Sequence, residues 1–293
     1  MQTVLRYRSY AKLNLFLEVV SRRPDGYHDI ETVFQTVGLY DELTFDPDCN
    51  GIVLEGTPID LPPGQENIIL HAAKRLADRY AVEQGVRIAL DKRIPVAAGL
   101  AGGSGNAAAT LIALNELWGL GLEDAALHTL GLELGSDVPY CLVGGTVAAT
   151  GRGEDLEPLP ALAPTWFVLV HPRLPMSTAA VFNHPDLKVL GVKDTAGKSD
   201  GFVQCVQALR SGSALHEIYN RLEAVVFAEH PELEAVKQQL LDAGSSVAGM
   251  SGSGPTLFGI CASQADAEAV AHGFTEMSTS VVRDAGAGVE RMT

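Results

Sequence analysis

The stretch PVAAGLAGGSGNAA, Pro95 to Ala108, places four glycines and one serine in the seven residues from Gly99 to Gly105. Glycine leaves backbone N–H groups uncovered, so anionic oxygens can approach them, and a following helix N-terminus adds partial positive charge. The alanine- and leucine-rich run from Asn106 to Trp118 supplies such a helix. The combination predicts a phosphate cradle, a flexible loop leading into a helix that starts near Asn106. No G-K-[ST] follows, so this is not a Walker loop, and any lysine for the phosphates must come from elsewhere. Gly103, Gly105 and Ala108 also match a G-x-G-x-x-A dinucleotide fingerprint, with Glu123 and Asp124 near the offset of a ribose-binding acid. That fingerprint belongs in a tight turn directly after a buried parallel strand. Here the preceding run is amphipathic and Pro95 intervenes, so the match is weak.

Upstream of the loop, Val86, Ile88 and Leu90 alternate as in a strand, and Ile69, Ala72, Ala73, Leu76 and Tyr80 recur at helical spacing. Ala11 to Val19 reads as an opening strand with Leu13, Leu15, Leu17 and Val19 on one face, joined through the polar turn RRPDGYHD to a second strand, IETVFQTVGLYDELTF. Downstream, EDAALHTLGLEL is a helix, and SDVPY leads into YCLVGGTVAAT, read as a strand. GRGEDLEPLPALAP, Gly151 to Pro164, has the glycine, proline and acid content of a domain boundary. Beyond it come WFVLVHP as a buried strand, a polar stretch through Ser213, and a helix carrying Leu215, Ile218, Leu222 and Val225. A second helix with Leu233, Val236 and Leu240 follows, then strand, GMSGSGP loop, strand TLFGIC and helix. Two domains of mixed α+β character are expected, residues 1–157 and 158–293.

The chain has 293 residues, 46% of them hydrophobic, enough for a substantial core, and no apolar run long enough for a membrane helix. Its net charge of −15 argues against nucleic acid and anionic membrane as partners. Cys49, Cys141, Cys205 and Cys261 are far apart with no metal-ligand spacing, and the N-terminus does not look like a signal peptide, so reduced thiols and a cytoplasmic protein are expected.

Four further places invite a chemical reading. Lys12 sits among apolar residues in AKLNLFL, where a lysine is ordinarily exposed on the polar face, yet Asn14 shares that face and the two would suit a reacting hydroxyl and a transferring phosphoryl group. Asp137, in the turn LGSDVPY, is either a backbone cap or a base that accepts a hydroxyl proton. Tyr27, His28 and Phe34 belong either to the core or, in the case of Tyr27 after its Asp-Gly turn, to a platform for a stacked base. MSGSGPT at 250–256 is a turn or a second backbone wall facing the same phosphates.

Together AKLNLFLEV, RRPDGYHDIETVFQ, PVAAGLAGGSGNAA, GSDVP and GMSGSGPTLFG resemble, in order and over nearly the whole chain, the GHMP kinases, named for galactokinase, homoserine, mevalonate and phosphomevalonate kinases. AKLNLFL and DGYH narrow the resemblance to the branch acting on a cytidine diphosphate-linked methylerythritol in non-mevalonate isoprenoid synthesis. The resemblance implies a ribosomal-S5-like N-terminal domain, a ferredoxin-like C-terminal domain, and ATP with Mg2+ in the cleft between. It implies an ATP-phosphate loop of Pro95, Val96, Ala97, Ala98, Gly99, Leu100, Ala101, Gly102, Gly103, Ser104 and Gly105, with Asn67 near the adenine. Lys12 and Asp137 match the catalytic pair. Asn14, Tyr27, His28, Phe34, Thr178 and Phe182 match positions around the substrate, where aromatic rings sandwich the cytosine and His28 helps to read its edge. The metal ligands are not implied. A small-molecule substrate is the expected partner, with no nucleic acid or membrane, and a monomer or weak homodimer is the expected assembly.

Two positions depart from the family pattern. Gly105 stands where members commonly carry serine, so any metal or phosphate contact of that hydroxyl is missing or falls to Ser104. Asn220-Arg221-Leu222-Glu223 replaces N-D-L-E, a change expected to alter only surface. The competing readings are another GHMP kinase with a small aliphatic alcohol, a dinucleotide-dependent oxidoreductase, and a non-catalytic nucleotide-binding module.

Overall fold

The long first run of alternating and β-branched residues pairs with the second to make the backbone of the molecule. In the computed structural model, which describes residues 3–47, 50–56, 66–191, 197–213, 215 and 218–293, β1 (Leu5–Arg22) and β2 (His28–Asp46) form an antiparallel ribbon joined by the Asp-Gly turn. Then follow β3 (Ile52–Gly56), α1 (Ile68–Tyr80), β4 (Val86–Asp91), α2 (Gly102–Leu117), α3 (Asp124–Leu134), α4 (Val138–Val143), β5 (Thr146–Thr150) and β6 (Asp155–Pro158). Next are β7 (Trp166–His171), α5 (Thr178–Phe182), α6 (Asp200–Arg210), β8 (Tyr219–Asn220), α7 (Glu223–Glu229) and α8 (Pro231–Asp242). The chain ends with β9 (Val247–Met250), β10 (Leu257–Cys261), α9 (Gln264–His272), β11 (Ser278–Arg283) and β12 (Val289–Arg291).

Among the described residues the strands form two sheets. The first runs β12-β1-β2-β4-β3, with β5 on β2, β6 on β5 and β8 on β1; the second is antiparallel in the order β11-β7-β10-β9. Helices α1 to α4 bury Ile69, Leu76, Leu111 and Leu130 together with Phe45 and Ile88 of the first sheet. Leu13, Leu15 and Val33 meet Phe167, Leu169 and Phe258 in a core that joins the two sheets, and α7 to α9 close the second sheet with Val225, Leu233 and Val270. No helix among the described residues is long and apolar enough to cross a membrane.

The structure corrects several sequence expectations. β1 is buried without a break from Ala11 to Val19, so Lys12 is not on an exposed polar face. Helix α2 begins at Gly102, four residues earlier than predicted, because Ala101 at φ +53° turns the chain and the glycines form the helix's first turn. Residues 138–143 are helical, so the strand read from Tyr140 begins only at Thr146: Pro139 suits a first helical turn, and Gly144 at φ +71° ends it. Of the stretch read as a helix from Leu215, the described residues Leu215 and Ile218 are not helical, Tyr219 and Asn220 form β8, and α7 begins at Glu223. Within the polar stretch before Ser213, α6 buries Phe202, Val206 and Leu209. Gly151 to Pro158 belongs to a β5–β6 hairpin of the first sheet rather than to a linker. Cys49 lies outside the described residues; Cys141, Cys205 and Cys261 are free thiols, and burial pushes all three upward in pKa.

Candidate active site

A cleft of about 840 Å³ opens between the glycine loop, β1, the tips of the β1–β2 and β5–β6 hairpins, α5 and the turn after β9. Bulges between Tyr10 and Ala11 and between Asn14 and Phe16 bracket Lys12 and Asn14, and such irregularities re-aim the side chains beside them. Lys12 Nζ donates to Asn14 Oδ1 at 2.6 Å and to the Gly99 carbonyl at 2.8 Å, and stands 4.0 Å from Asp137 Oδ2. Asn14 Nδ2 in turn donates to Thr32 Oγ1 at 2.8 Å, which fixes the amide's orientation. Burial lowers the Lys12 pKa, and the Asp137 carboxylate opposes that effect.

Asp137 occupies the N-cap position of α4 but makes no capping bond with its side chain. The carboxylate is therefore not spent on backbone amides, and it faces the lysine across the cleft. The bond from Lys12 to Gly99 ties β1 directly to the loop.

That loop is held from three sides. Asp41, fully buried, accepts from Arg93 N at 2.7 Å and Ile94 N at 2.8 Å, and pairs with Lys92 Nζ at 2.6 Å. Ser251 Oγ donates to the Gly99 carbonyl at 2.9 Å, and a Cβ on Gly99 would fall 2.1 Å from the Ser251 carbonyl oxygen. The turn carrying Ser251 is fixed by Asn220, whose Nδ2 donates to the carbonyls of Met250 and Gly252 at 2.8 Å each, and by Glu223, which accepts from Met250 N at 2.8 Å. Arg221 grips the buried carboxylate of Glu18 with two bonds of 2.7 Å, so the Asn220–Glu223 segment is an internal brace and not mere surface. The first turn of α2 has neither a side-chain cap nor an acid, and its residues Gly102, Gly103 and Ser104 line the cleft, the setting in which helix N-terminal N–H groups meet anions.

Gly102, Gly103, Ser104 and Asn106 line the cleft, together with Pro95 to Ala101. Gly105 does not belong to that lining: its side-chain direction points at β1, where a Cβ would sit 3.3 Å from the Tyr10 carbonyl and 3.4 Å from Ser9 Cβ. The dinucleotide fingerprint fails on the same geometry, since Gly103 and Gly105 lie inside a helix rather than in a strand-to-helix turn. Asn67 caps α1 by accepting from Ile69 N at 2.9 Å, and it lines the loop side of the cleft.

At the opposite end, Tyr27 is half exposed and His28 is packed against Phe182, with ring centroids 5.6 Å apart and planes 37° apart. Burial and the charge of Arg22 lower the His28 pKa, so the ring is neutral near pH 7 and offers one donor and one acceptor. Thr178 Oγ1 lies 2.9 Å from Ser253 Oγ, joining α5 to the turn after β9. Phe34 is buried and stacked on Tyr140 at 4.5 Å, so it forms the wall behind Lys12, and the rings free to hold a base are Tyr27 and Phe182.

Sequence reasoning passed over Lys92, Asn106 and Arg152, and it read the Asn220–Glu223 segment as surface only. Of these, only Arg152, set between two glycines in GRGE, carried a local signal. Among the described residues no group of three or more His, Cys, Asp or Glu is arranged to hold a metal.

Comparison with known proteins places this geometry. Residues 67–145 match the GHMP kinases N terminal domain and residues 205–278 the GHMP kinases C terminal domain. The chain is 44% identical to the 4-diphosphocytidyl-2-C-methyl-D-erythritol kinase of Moorella thermoacetica, covering 92% of this chain and 94% of that one. The chain belongs to the GHMP kinase family. It is thus an ATP-dependent small-molecule kinase with the α+β fold of that family. It is also 45% identical to the 4-diphosphocytidyl-2-C-methyl-D-erythritol kinase of Pelotomaculum thermopropionicum, over 89% of this chain and 90% of the other. A crystal structure of 4-(cytidine 5'-diphospho)-2C-methyl-D-erythritol kinase superposes with a TM-score of 0.79 at 33% identity, covering 96% of this chain and 99% of that one.

Proposed function

We propose that this GHMP kinase transfers the γ-phosphoryl group of ATP to the 2-hydroxyl of 4-diphosphocytidyl-2-C-methyl-D-erythritol, giving the 2-phosphate and ADP in non-mevalonate isoprenoid synthesis. The observation that carries the reading is the placement of Lys12 and Asp137, 4.0 Å apart, between a phosphate loop and an aromatic pocket in one cleft. Phosphoryl transfer asks the protein for in-line placement and charge compensation more than for covalent chemistry. Asp137 accepts the proton of the substrate hydroxyl. Lys12, anchored by Asn14 and Gly99, orients the carboxylate and holds charge that develops on the γ-phosphoryl oxygens.

Pro95 to Ser104 is assigned to the ATP phosphates through the backbone N–H groups at the start of α2, with Asn67 near the adenine; Gly105 is left out, because its N–H is spent on the Ala101 carbonyl. Asn14, Tyr27, His28, Phe34, Thr178 and Phe182 are assigned to the acceptor side, Phe34 as the wall behind the reacting groups. Ser104 of the loop and Asp137 before α4, oxygen-bearing side chains that both line the cleft, fit a Mg2+ ion held chiefly by the nucleotide, since magnesium takes few protein ligands when phosphates are present. When bound it offsets phosphate charge. We take residues 1–157 and 158–293 as the two domains, since β1 to β6 lie in the first sheet and β7, β9, β10 and β11 in the second, with β8 and β12 returning to the first, and a monomer or weak homodimer as the working form.

The test is ADP release with magnesium and a panel of alcohols. The cytidyl substrate is expected to turn over, with mevalonate and homoserine at background. Asp137→Ala is expected to lower turnover by about 10²–10⁴ while nucleotide binding persists. ADP release with mevalonate or homoserine but not with the cytidyl substrate would sink the substrate assignment; equal loss of ATP affinity in the variant would make Asp137 structural.

A further inference from the structure

Three lysine and arginine side chains line the cleft: Lys12, Lys92 and Arg152. Lys12 faces Asp137, and Lys92 is paired with Asp41 at 2.6 Å. Among the described residues Arg152 has no carboxylate within 4.0 Å of its guanidinium, and its Nε is buried with no hydrogen-bond partner. The acid that feels its charge, Asp25, is engaged by Arg23 at 3.1 Å. The guanidinium thus carries on the cleft wall a charge that no carboxylate among the described residues offsets, which is where an anionic group of a ligand would be compensated.

The backbone holds this cation in place. Arg152 is at the tip of the β5–β6 hairpin between Gly151 at φ +69° and Gly153 at φ +109°, conformations that favour glycine. The Gly151 carbonyl accepts from Ile30 N at 2.7 Å, Gly153 N donates to the Thr150 carbonyl at 3.0 Å, and the Glu154 carboxylate accepts from Arg152 N. The guanidinium lies 4.2 Å over the ring of Tyr27, so the tips of two hairpins are clasped by one cation–π contact. A planar guanidinium stacked on a ring keeps its in-plane N–H donors at the edge, the geometry suited to phosphate oxygens.

We infer that Arg152 is a specificity-determining residue for the acceptor, steadying Tyr27 as the platform for the base and presenting its free edge to the diphosphate of the nucleotide-linked alcohol. This inference rests on the substrate reading given above. It explains how a chain of net charge −15 admits an anionic acceptor at the end of the cleft remote from the phosphate loop.

The test measures binding of CDP and of cytidine to ADP-saturated wild type, Arg152→Gln and Arg152→Lys, with melting temperatures as a control of folding. Wild type is expected to prefer CDP over cytidine by about tenfold or more, the worth of a charge-assisted contact. Arg152→Gln should lose that preference while holding cytidine within about threefold, and Arg152→Lys should keep most of it. In turnover, Arg152→Gln should raise KM for the cytidyl substrate by about tenfold, with kcat and KM for ATP nearly unchanged. A CDP preference that survives in Arg152→Gln, or an equal rise in both KM values, overturns the inference and leaves the substrate reading standing. Wild type that binds neither CDP nor cytidine overturns the substrate reading itself. If the glutamine variant does not fold, Arg152→Met is the second neutral variant on which the same outcomes are read.

Discussion

At Gly105 the missing side chain faces strand β1 and not the cleft. The expectation that its missing hydroxyl weakens a metal or phosphate shell follows from sequence spacing alone, and geometry removes it: a Cβ there meets Tyr10 O and Ser9 Cβ. Gly105→Ser is therefore expected to leave KM for ATP unchanged within about twofold, with any effect confined to stability, where crowding against β1 opposes the higher helix propensity of serine. A steady-state ATP titration with a melting curve decides it, and a marked fall in KM for ATP would contradict the geometry. Lys12 and Asp137 are visible in the sequence as residue types in unusual company. Their meeting is not, because 125 positions separate them and the bulges that aim Lys12 depend on its partner strand. Arg152 is obscured for a different reason: glycine, proline and acids describe a tight turn as well as a linker, and only the pairing of β5 with β6 separates the two.

Among the elements, the glycine loop is the most legible and its support the least. Periodicity identifies α1, α3, α8 and the apolar strands, since each buries one regular face. It misplaces the start of α2, where glycines are helical because the turn at Ala101 and the packing of Gly102 against Ile94 and Lys92 impose it. It also reads α4 as strand, since Val138 to Val143 is short and apolar throughout, and periodicity cannot separate the two forms at that length. The brace beneath the loop, Asp41 with Lys92, pairs a carboxylate in β2 with an ammonium past the end of β4, and no local pattern announces it. Burial lowers the Lys92 pKa, and the Asp41 carboxylate opposes that effect. Asp41→Asn withdraws the charge from a buried pair, which costs about 3–5 kcal/mol. It also loosens the acceptor for Arg93 and Ile94 N–H. The expected result is a lower denaturation midpoint with a raised KM for ATP and little change in KM for the acceptor. A variant as stable as wild type, with unaltered ATP kinetics, would show that the loop does not depend on this brace.

In the whole molecule, the chain order conceals how the two sheets are built. β8 and β12 come from late in the sequence yet pair with β1, β12 through Tyr7 with Arg291 and β8 through Leu17 with Asn220, so the first sheet takes strands from among and beyond those of the second. Two- and three-residue strands have no usable periodicity, and neither can be read in advance. Folding of the second sheet is thereby coupled to the site, since Asn220 also holds the turn that meets Gly99. His171, at the end of β7, probes that coupling. It lies buried beside Thr256 and Ser280, and burial lowers its pKa to about 4 from 6.5. Between those values the unfolded chain takes up a proton that the folded protein refuses, so stability falls as pH drops through that window and levels off below it. Each pH unit in the window withdraws about 1.4 kcal/mol, or about 3 kcal/mol across it. Denaturant titrations at pH 7 and pH 4 should therefore show a larger loss for wild type than for His171→Gln, which cannot take up the proton. Parallel losses in the two proteins would mean that the second sheet accommodates a charged His171 without cost.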